Sequence, residues 1–556
     1  MGASHASGPV SATEVTVRCH QENRSLVAAG TFQLILWVAT VALAARFVEG
    51  RDHDARLPLW LVALWGIAFG IYLWSVIAIQ RRAASGGAGH ALLRWILCFA
   101  ILFRMVLWWS PPVLETDFHR YLWDGRVLLE GVNPCRYSPA EVESASAGME
   151  ADARGRLVRL LNCEPEVKRI FDRIEHRTVP SLYPPLSQAV FGAAAWVTPE
   201  HWPVIAQVRT LKAVLLGFDL ATILLVVALL RELGLPPSLV VAYAWCPLVL
   251  KEFANSGHHD SIAVCLTTAT LWLLLRAVRA READGTRVPT WVWHVGAACA
   301  WAAAVLAKLY PLVLAPLLLV WWWRKVRWGV AWLLALSCGT ALAGYALMPG
   351  GLPEVGSGNT TQGLGEFFRR WEMNDLLFSV VYENLKPPWA DGRPSPWYAV
   401  TPVAVRDWVV SSVSLPGVNV PFRLAQIVMA TVFGGIVLRL VLVRWPTEDR
   451  VALLQRSFLC LGWLWFLSAT QNPWYWTWAL PLVVLVRSPW LLVSGFALLY
   501  YLRFWFAGLS LPPPGGGDVA NGARWFDEVF VWLEHGPVLA LLAWHRWGRG
   551  RFTNGQ

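Results

Sequence analysis

Long apolar runs separated by short polar segments make up most of this chain. The first three lie at Leu26–Ala45, Leu57–Ile79 and Leu92–Val113. A helix needs about 20 apolar residues to cross a bilayer core, so each of these runs predicts a membrane-spanning helix. Eleven further runs follow, at Leu211–Leu230, Ser238–Leu250, Ser261–Leu275, Trp291–Ala307, Pro311–Trp323, Trp328–Met348, Leu424–Val443, Val451–Ser468, Trp474–Val486, Pro489–Phe506 and Trp525–Trp544. The shorter runs need flanking aromatic residues or a re-entrant shape in order to cross.

Composition supports the same class. Of 556 residues, 56% are hydrophobic and only 15% are charged, and 36 are Trp. These proportions are typical of an all-α polytopic membrane protein and exclude an ordinary soluble one. The net charge of +10 is expected in cytoplasmic loops and does not indicate a nucleic-acid partner. The nine cysteines form no Cys-x-x-Cys pair, so the sequence suggests neither a structural zinc site nor a redox motif.

The placement of the cations predicts the topology. Arg81 and Arg82 follow the second run, which places that loop in the cytoplasm and the chain after Val113 outside. Five later clusters are expected in the cytoplasm as well: Arg276/Arg279/Arg281, Arg324/Lys325/Arg327, Arg439/Arg444/Arg450, Arg487 and Arg546/Arg549/Arg551. All five clusters lie on the cytoplasmic side only if the short run Ala189–Val197 does not cross the membrane. The result is about fourteen spans with both termini cytoplasmic.

This topology divides the chain into seven regions. They are a cytoplasmic arm (1–27), the first transmembrane helices (28–112), an outer loop with short amphipathic or re-entrant helices (113–207), further transmembrane helices (208–348), a second large outer loop (349–423), the C-terminal transmembrane helices (424–546) and a cytoplasmic tail (547–556). Cys135 and Cys163 share the first outer loop. Because an outer-facing thiol pair can be oxidised, a disulfide between them is one hypothesis.

The polar chemistry of the first outer loop begins directly after the third apolar run. Five ionisable residues lie within ten positions: Asp117, His119, Arg120, Asp124 and Arg126. On a helix, Asp117 and Arg120 would share a face with Tyr121 and Asp124, whereas His119 and Arg126 would point elsewhere. A carboxylate flanked by cations can act as a base toward a phosphate-bearing substrate. The alternative is a solvated helix end whose charges only mark the membrane interface.

Three other polar segments are predicted on the same outer side. The segment Asn255–Asp260 could bind a sugar hydroxyl or a phosphate at a helix start, or simply cap that helix. Lys308 lies among apolar residues and must either snorkel to water or find an anion such as phosphate. The segment Ala469–Trp478 reads as an interfacial aromatic belt, although aromatic faces also stack on sugar rings. Polar groups that are distant in sequence are therefore expected to converge on one face.

Six motifs carry a family resemblance over roughly Leu92 to Val486. They are Asp117-x-x-Arg120-Tyr121-x-Trp123-Asp124-Gly125-Arg126, Gly131-x-Asn133-Pro134, Tyr183-Pro184-Pro185, Gly257-His258-His259-Asp260, Ala307-Lys308-x-Tyr310-Pro311 and Asn472-Pro473-Trp474-Tyr475. In this order they resemble bacterial GT-C glycosyltransferases, in particular the polyprenol-phosphate-mannose-dependent alpha-1,6-mannosyltransferases and their uncharacterised relatives. The chain departs from that pattern in two places: His259 replaces an expected Asn, and Gln471 and Asn472 stand where a histidine is expected.

The resemblance implies a GT-C type bundle of about 12–14 transmembrane helices with the active site on outer-face loops. It implies transfer of a sugar, expected to be mannose, from a polyprenyl-phosphate donor to a glycan or glycolipid acceptor, with Asp117 as catalytic base. The residues expected to bind the substrates are His119, Arg120, Tyr121, Asp124, Arg126, Tyr183, His258, His259, Asp260, Lys308, Tyr310, Gln471, Trp474 and Tyr475. Membrane lipids are the other expected partner.

An inverting transfer of this kind needs a base for the acceptor hydroxyl and cations for the departing lipid phosphate. Lys308 is the first candidate for the cation. No metal or other cofactor is required, because a phosphate leaving group already carries its charge well. A weak divalent-cation site at His258, His259 and Asp260 is conceivable, but two adjacent histidines rarely face the same ion.

Two other classes of protein share part of this pattern. A transporter or a flippase for lipid-linked sugars would also be polytopic with outward polar residues. That class predicts charged groups near mid-membrane and paired broken helices in two related halves. The chain shows no internal repeat, and its polar clusters lie at span ends. A purely structural membrane subunit would not explain Lys308.

Overall fold

A computed structural model describes residues 12–46, 56–85, 90–144, 152–282, 288–350, 362–388, 392, 394–413, 419–443, 450–486, 489–514 and 520–552. The regular structure of these ranges is helical apart from one small sheet and one isolated bridge. In the sheet, β1 (Ser510–Leu511) pairs antiparallel with β2 (Ala520–Asn521). The all-α prediction is confirmed.

The first outer loop is built from short helices that follow three long ones. The order is α1 (Ala12–Ala44), α2 (Leu57–Ala84), α3 (His90–Trp109), α4 (Asp117–Leu129), α5 (Pro139–Glu143), α6 (Ala153–Cys163), α7 (Pro165–Asp172) and α8 (Pro185–Trp196). Local signals in the sequence explain several starts. Ser138 and Glu141 form a capping box at α5, and the Asp152 side chain accepts the Gly155 N–H at α6. Helix α8 has 12 residues, which is too short for a regular span.

The middle of the chain alternates long helices with broken segments. It contains α9 (Val204–Glu232), α10 (Val241–Ala244), α11 (Pro247–Val249), α12 (Asp260–Glu282), α13 (Thr290–Ala307), α14 (Ala315–Val326) and α15 (Gly329–Ala346), with 3₁₀ turns at Pro237–Val240 and Tyr310–Leu314 and a π-helix at Leu250–Ser256. The π-helix ends at Gly257, whose φ is +73°. A Cβ at Gly257 would lie 2.9 Å from Lys212 Cγ, so the left-handed turn and the close contact both favour glycine.

The last third of the described chain mixes long helices with short ones. It consists of α16 (Gln362–Arg370), α17 (Leu377–Glu383), α18 (Val403–Ser412), α19 (Val420–Leu442), α20 (Arg450–Leu467), α21 (Pro473–Trp476), α22 (Trp490–Phe496), α23 (Leu502–Ala507), α24 (Ala523–Trp525) and α25 (Val531–Phe552), with 3₁₀ turns at Leu480–Leu485 and Ala497–Tyr501 and a π-helix at Phe526–Phe530.

Nine helices of the described ranges are long and apolar enough to cross a membrane. They lie at Asn23–Ala44, Leu57–Ala84, Leu92–Trp109, Val204–Glu232, Asp260–Glu282, Thr290–Ala307, Gly329–Ala346, Val420–Leu442 and Trp490–Ala507. Other predicted runs are built differently. The run Ser238–Leu250 is divided among a 3₁₀ turn, α10 and α11, and the run Pro311–Trp323 begins in a 3₁₀ turn. Prolines account for these interruptions, since each removes a backbone donor and crowds the preceding turn.

The two ends of the bundle differ in charge. Glu232, at the end of α9, accepts hydrogen bonds from Arg276 Nη1 at 2.9 Å and Arg279 Nη1 at 3.3 Å, and its carbonyl accepts one from Arg450. At the other end of α9, Val204 lines the cavity described below together with Asp117. A helix of 29 residues separates these ends by about 40 Å. The cationic end and the candidate site are therefore on opposite sides of the bundle.

Accessibility labelling tests the orientation. We expect single cysteines near Asp117, Gly257 and Asn472 to react with an impermeant thiol reagent from outside, and cysteines near Arg82 and Arg450 only after the membrane is opened, because cations are retained in the cytoplasm. The same expectation applies to Gly356 outside and Asp284 inside, both of which lie outside the described residues. Labelling near Gly257 or Asn472 from the cytoplasm alone would contradict a single outer-face site.

Candidate active site

A cavity of about 970 Å³ collects the polar groups that are distant in sequence. Nine predicted site residues line it: Asp117, Arg120, Tyr121, Tyr183, His259, Lys308, Tyr310, Trp474 and Tyr475. They come from α4, the turn before α8, the turn before α12, the segment after α13 and helix α21. The expected convergence of these segments is therefore present in the fold.

The turn that leads into α4 is fixed by buried hydrogen bonds. The Asn255 side chain accepts the Val113 N–H at 3.1 Å and donates to Ser110 Oγ at 2.6 Å. Lys212 Nζ donates to the Leu107 and Ser110 carbonyls at 2.9 and 2.8 Å, which satisfies the end of α3. Asn255 is thus bonded to the chain that presents Asp117.

Glu115 caps the start of α4. Its Oε1 accepts the N–H groups of Thr116 at 2.9 Å and Asp117 at 2.8 Å, which would otherwise have no partner inside the helix. The Tyr121 hydroxyl, one turn later, lies 3.4 Å from Asp117 Oδ2. Asp117 is therefore the first residue of α4 and faces the cavity with little freedom in its backbone.

A chain of charges lies behind Glu115. His258 Nε2 lies 2.9 Å from Glu115 Oε2 and 3.2 Å from Glu252 Oε2, and Tyr501 donates to Glu252 at 2.6 Å. Burial opposes the charged forms, but this pairing outweighs it. The pKa of Glu115 falls to about 2, and that of His258 rises to about 10. Near neutral pH, Glu115 is anionic and His258 is cationic.

The pKa of Asp117 shifts in the opposite direction to that of Glu115. Burial and the neighbouring Glu115 carboxylate raise the pKa of Asp117 to about 7, although His258 and Lys308 partly offset this. A carboxylate with a pKa near the working pH is suited to accept a proton, because a substantial fraction of it is deprotonated in the resting enzyme and that fraction is basic enough to take up a proton. The geometry thus marks Asp117 as a candidate general base.

Lys308 is held in an aromatic frame at the end of α13. Its Nζ lies 2.6 Å from Asp260 Oδ1, which also accepts the Trp478 indole N–H at 2.6 Å. The ammonium lies 4.6 Å from the Tyr475 ring centroid, within cation–π distance. The side chain remains 17% exposed, so the cation is fixed in position yet accessible from the cavity.

Six predicted site residues support the cavity wall from behind and are absent from its lining: His119, Asp124, Arg126, His258, Asp260 and Gln471. Arg126 shows why: its guanidinium donates to the Thr198 carbonyl at 2.7 Å and the Gln207 side chain at 3.2 Å, on the far side of α4. Gln471 donates to two carbonyls of its own segment. Both Arg126 and Gln471 therefore hydrogen-bond to other parts of the protein.

The Trp-Asp-Gly-Arg part of the first motif has a packing role. Asp124 binds Arg120 Nε at 3.0 Å and accepts from Ser181 and Gln188, which ties α4 to the loop before α8. A Cβ at Gly125 would lie 2.4 Å from the Phe191 carbonyl oxygen. Glycine at this position therefore allows α4 and α8 to pack closely.

The disulfide hypothesis for the outer loop is wrong. Cys135 and Cys163 are both free thiols. The exposed Cys163 Sγ donates to Glu200 Oε2 at 3.2 Å, whereas Cys135 Sγ lies 4.0 Å from the Tyr183 carbonyl near the cavity. The two cysteines share a loop in sequence, but the short helices direct them to different neighbours.

The two adjacent histidines do not converge on one ligand position. His258 stacks on Trp474 with ring centroids 4.2 Å apart, while His259 packs edge-on against Tyr121 and Tyr183. A different set could hold a metal ion. One ligand atom from each of Glu115, Asp117 and His258 lies within 4.8 Å of the others. Such a set is compatible with a divalent cation, but it is also explained by the Glu115–His258 ion pair.

Sequence reasoning missed several residues that line the cavity, notably Glu115, Glu175, Trp371, Trp478 and Arg503. Glu115 could have been found, since an acidic side chain close to a helix N-terminus is favoured by the helix dipole. Trp371 and Arg503 carry no local signal, because only the fold brings these distant segments to Asp117.

Comparison with known proteins places the chain in a family. Residues 25–324, more than half of the chain, match a family model described as alpha-(1->6)-mannopyranosyltransferase, N-terminal domain. The match includes Asp117, His259 and Lys308 and ends before Trp371 and Tyr475. No curated protein and no solved structure matches the chain.

Proposed function

Because the chain belongs to the alpha-(1→6)-mannopyranosyltransferase family and is thus a membrane glycosyltransferase, we propose that it takes mannose from a polyprenyl-phosphate donor. The acceptor is a glycan or a glycolipid, and the transfer inverts the anomeric centre. One observation carries the proposal: Asp117, a carboxylate suited to act as a base, and Lys308, a fixed cation, face the same cavity.

The proposed step forms one bond and breaks one. The acceptor oxygen attacks the anomeric carbon as its proton passes to Asp117, and the bond from that carbon to the phosphate oxygen breaks. The electron pair leaves with the polyprenyl phosphate, and Lys308 stabilises the added negative charge. A direct displacement needs no covalent enzyme intermediate and no metal ion.

The wall around Lys308 suits a lipid-linked donor. Leu309, directly before the 3₁₀ turn that follows α13, Val313 within that turn and Leu464 from α20 give the cavity an apolar side next to the cation. A polyprenyl chain lying in the bilayer would bury apolar surface there while its phosphate reaches Lys308. A nucleotide-sugar donor has no long chain that would use this apolar surface.

The cationic end of the bundle supports an orientation for the reaction. If the end at Glu232 and Arg450 is cytoplasmic, the cavity opens at the outer face of a bacterial plasma membrane, with both termini inside. The donor must then be a carrier that presents its sugar outside. This requirement fits a polyprenyl phosphate and does not fit a cytosolic nucleotide sugar.

The direct test uses purified protein and a panel of polyprenyl-phosphate sugars with an α-1,6-linked mannose oligosaccharide as acceptor. We expect transfer from polyprenyl-phosphate mannose and weaker or no transfer from the glucose and arabinose donors. Transfer should persist with EDTA, because the proposed step uses no metal. Transfer only from a nucleotide sugar would overturn the donor, and complete dependence on a divalent ion would overturn the metal-free step.

The acid limb of the pH profile should report the state of Asp117. A base must be deprotonated, so we expect kcat/KM to rise with pH through about 7 and to be lost as pH falls below that value. Glu115→Gln removes a negative charge that raises the pKa of Asp117, so the limb should move to lower pH. The measurement is initial rate against pH at low donor concentration. A limb unmoved by Glu115→Gln would contradict this assignment.

A further inference from the structure

Part of the cavity wall comes from extramembrane segments that the proposed step does not use. Glu175 and His176 belong to the loop between α7 and α8, and Trp371 follows α16. The His176 and Trp371 rings meet edge to face with centroids 4.6 Å apart. Glu175 and His176 are exposed, and Trp371 is partly so. A carboxylate, an imidazole and an indole thus lie together at the water-facing part of the cavity.

The loop that carries Glu175 and His176 is anchored on both sides. Arg177 forms an ion pair with Glu143 at 3.0 Å, and its carbonyl accepts the Ala140 N–H at 2.8 Å. Arg120 donates to the Val179 carbonyl at 3.0 Å, which joins this loop to the helix of Asp117. The loop is exposed but is held in place relative to the candidate base.

His176 also has a backbone conformation that residues other than glycine seldom adopt. Its φ is +52°, in the left-handed region. Such a conformation is unfavourable for a residue with a side chain and persists where neighbouring contacts determine it. Here the backbone turns so that Glu175 and His176 both line the cavity.

Hydrogen bonds from a segment that is distant in sequence hold the backbone at Trp371. The Thr470 hydroxyl donates to the Trp371 carbonyl at 3.2 Å. Met373 N–H donates to the Ala469 carbonyl at 3.0 Å, and Gln471 N–H donates to the Met373 carbonyl at 2.9 Å. These bonds join the segment after α16 to the one that leads into Trp474. The indole is consequently a pre-positioned surface, which lowers the entropic cost of binding.

The two parts of the cavity suit different substrates. The chain of a lipid-linked donor must remain in the bilayer, so we expect the donor to use the part of the cavity that Lys308 and the apolar side chain of Leu464 line. The acceptor hydroxyl must reach Asp117 from the remaining space. Glu175 is close enough to Asp117 for its charge to contribute to the raised pKa of that carboxyl. Carbohydrates are recognised by aromatic faces that pack on C–H surfaces and by carboxylates that accept hydroxyl protons.

We propose that Glu175, His176 and Trp371 form the acceptor subsite, which binds the sugar at the end of a mannose oligosaccharide chain. Trp371 packs on the apolar face of that sugar, and Glu175 accepts hydrogen bonds from its hydroxyls. His176 completes the wall and holds the indole edge. The assignment of this subsite to the acceptor rests on the proposed function.

The first test measures binding without any donor. Purified protein is titrated with α-1,6-linked mannotriose, and the dissociation constant is obtained by calorimetry. We expect Trp371→Ala and Glu175→Gln each to raise it about tenfold. Asp172→Asn and Trp408→Ala are matched controls: both residues are exposed, and Asp172 lies three positions before Glu175. Parental protein that does not bind mannotriose, or equal losses in the controls, would overturn the subsite.

The second test separates the subsite from the reaction. With polyprenyl-phosphate mannose as donor, and at a pH well above 7 so that Asp117 is ionised in every variant, the two subsite variants should raise the acceptor KM about tenfold and leave the donor KM nearly unchanged. Unchanged acceptor KM in both variants would overturn the inference. If mannotriose binding depends on Trp371 and Glu175 but the parental protein transfers no sugar from the polyprenyl donor, the subsite stands as a glycan site and the proposed donor fails.

Discussion

Asp117→Asn is expected to lower kcat by about a hundredfold or more while the affinity for the lipid-linked donor changes little. Asparagine keeps the shape of the side chain and can still meet the Tyr121 hydroxyl, but it cannot take a proton from the acceptor. Because the base acts only in the transition state, its loss should appear in turnover rather than in ground-state binding. The measurements are single-turnover sugar transfer and donor binding by the same purified protein.

Asp124→Asn is the matched control for that result. Asp124 lies two turns along α4 and is buried among Arg120, Ser181 and Gln188. Its loss should therefore lower the thermal stability of the protein more than the rate of the chemical step. Asp117→Asn with the parental transfer rate would move the base elsewhere. Asp260 would then be the next candidate, and to act as a base it would have to give up its bonds to Lys308 and Trp478.

The class of protein and the position of the candidate base could be predicted from sequence because both depend on local patterns. Apolar runs of membrane length, with cations between them, determine the spans and their direction. The three- and four-residue spacing of Asp117, Arg120, Tyr121 and Asp124 predicts one shared helical face, and on α4 Arg120 contacts Asp124 and Tyr121 contacts Asp117.

The rest of the candidate site depends on contacts that spacing does not encode. The sequence places Arg126 in the charged motif, but only the packing of α4 against α8 shows that its guanidinium faces Thr198 and Gln207. The sequence predicts that Lys308 either snorkels to water or pairs with an anion, and the fold supplies Asp260, 48 positions earlier, as an anionic partner. A buried cation that is paired with a protein carboxylate has a different free energy from a buried cation that is unpaired until a ligand binds.

The pairing of Lys308 with Asp260 gives the variant Lys308→Ala two expected effects. We expect the variant to weaken donor binding and to lower kcat, together reducing kcat/KM for the donor by about a hundredfold or more, because a cation beside the lipid phosphate acts in both the ground state and the transition state. The same substitution leaves the Asp260 carboxylate buried with the Trp478 N–H and no cation, which should also destabilise the fold. Activity alone therefore cannot distinguish the two effects.

The double variant Lys308→Ala/Asp260→Asn separates them. Removing the carboxylate charge relieves the unpaired buried anion, so the double variant should regain much of the thermal stability that Lys308→Ala loses. If Lys308 binds the donor phosphate, transfer and donor affinity stay low in the double variant despite the recovered fold, and Lys308→Arg retains part of both. Recovery of transfer together with stability would show that Lys308 serves only as the partner of Asp260, and the phosphate would then need another cation, with Arg120 and Arg503 the remaining ones that line the cavity in the described residues.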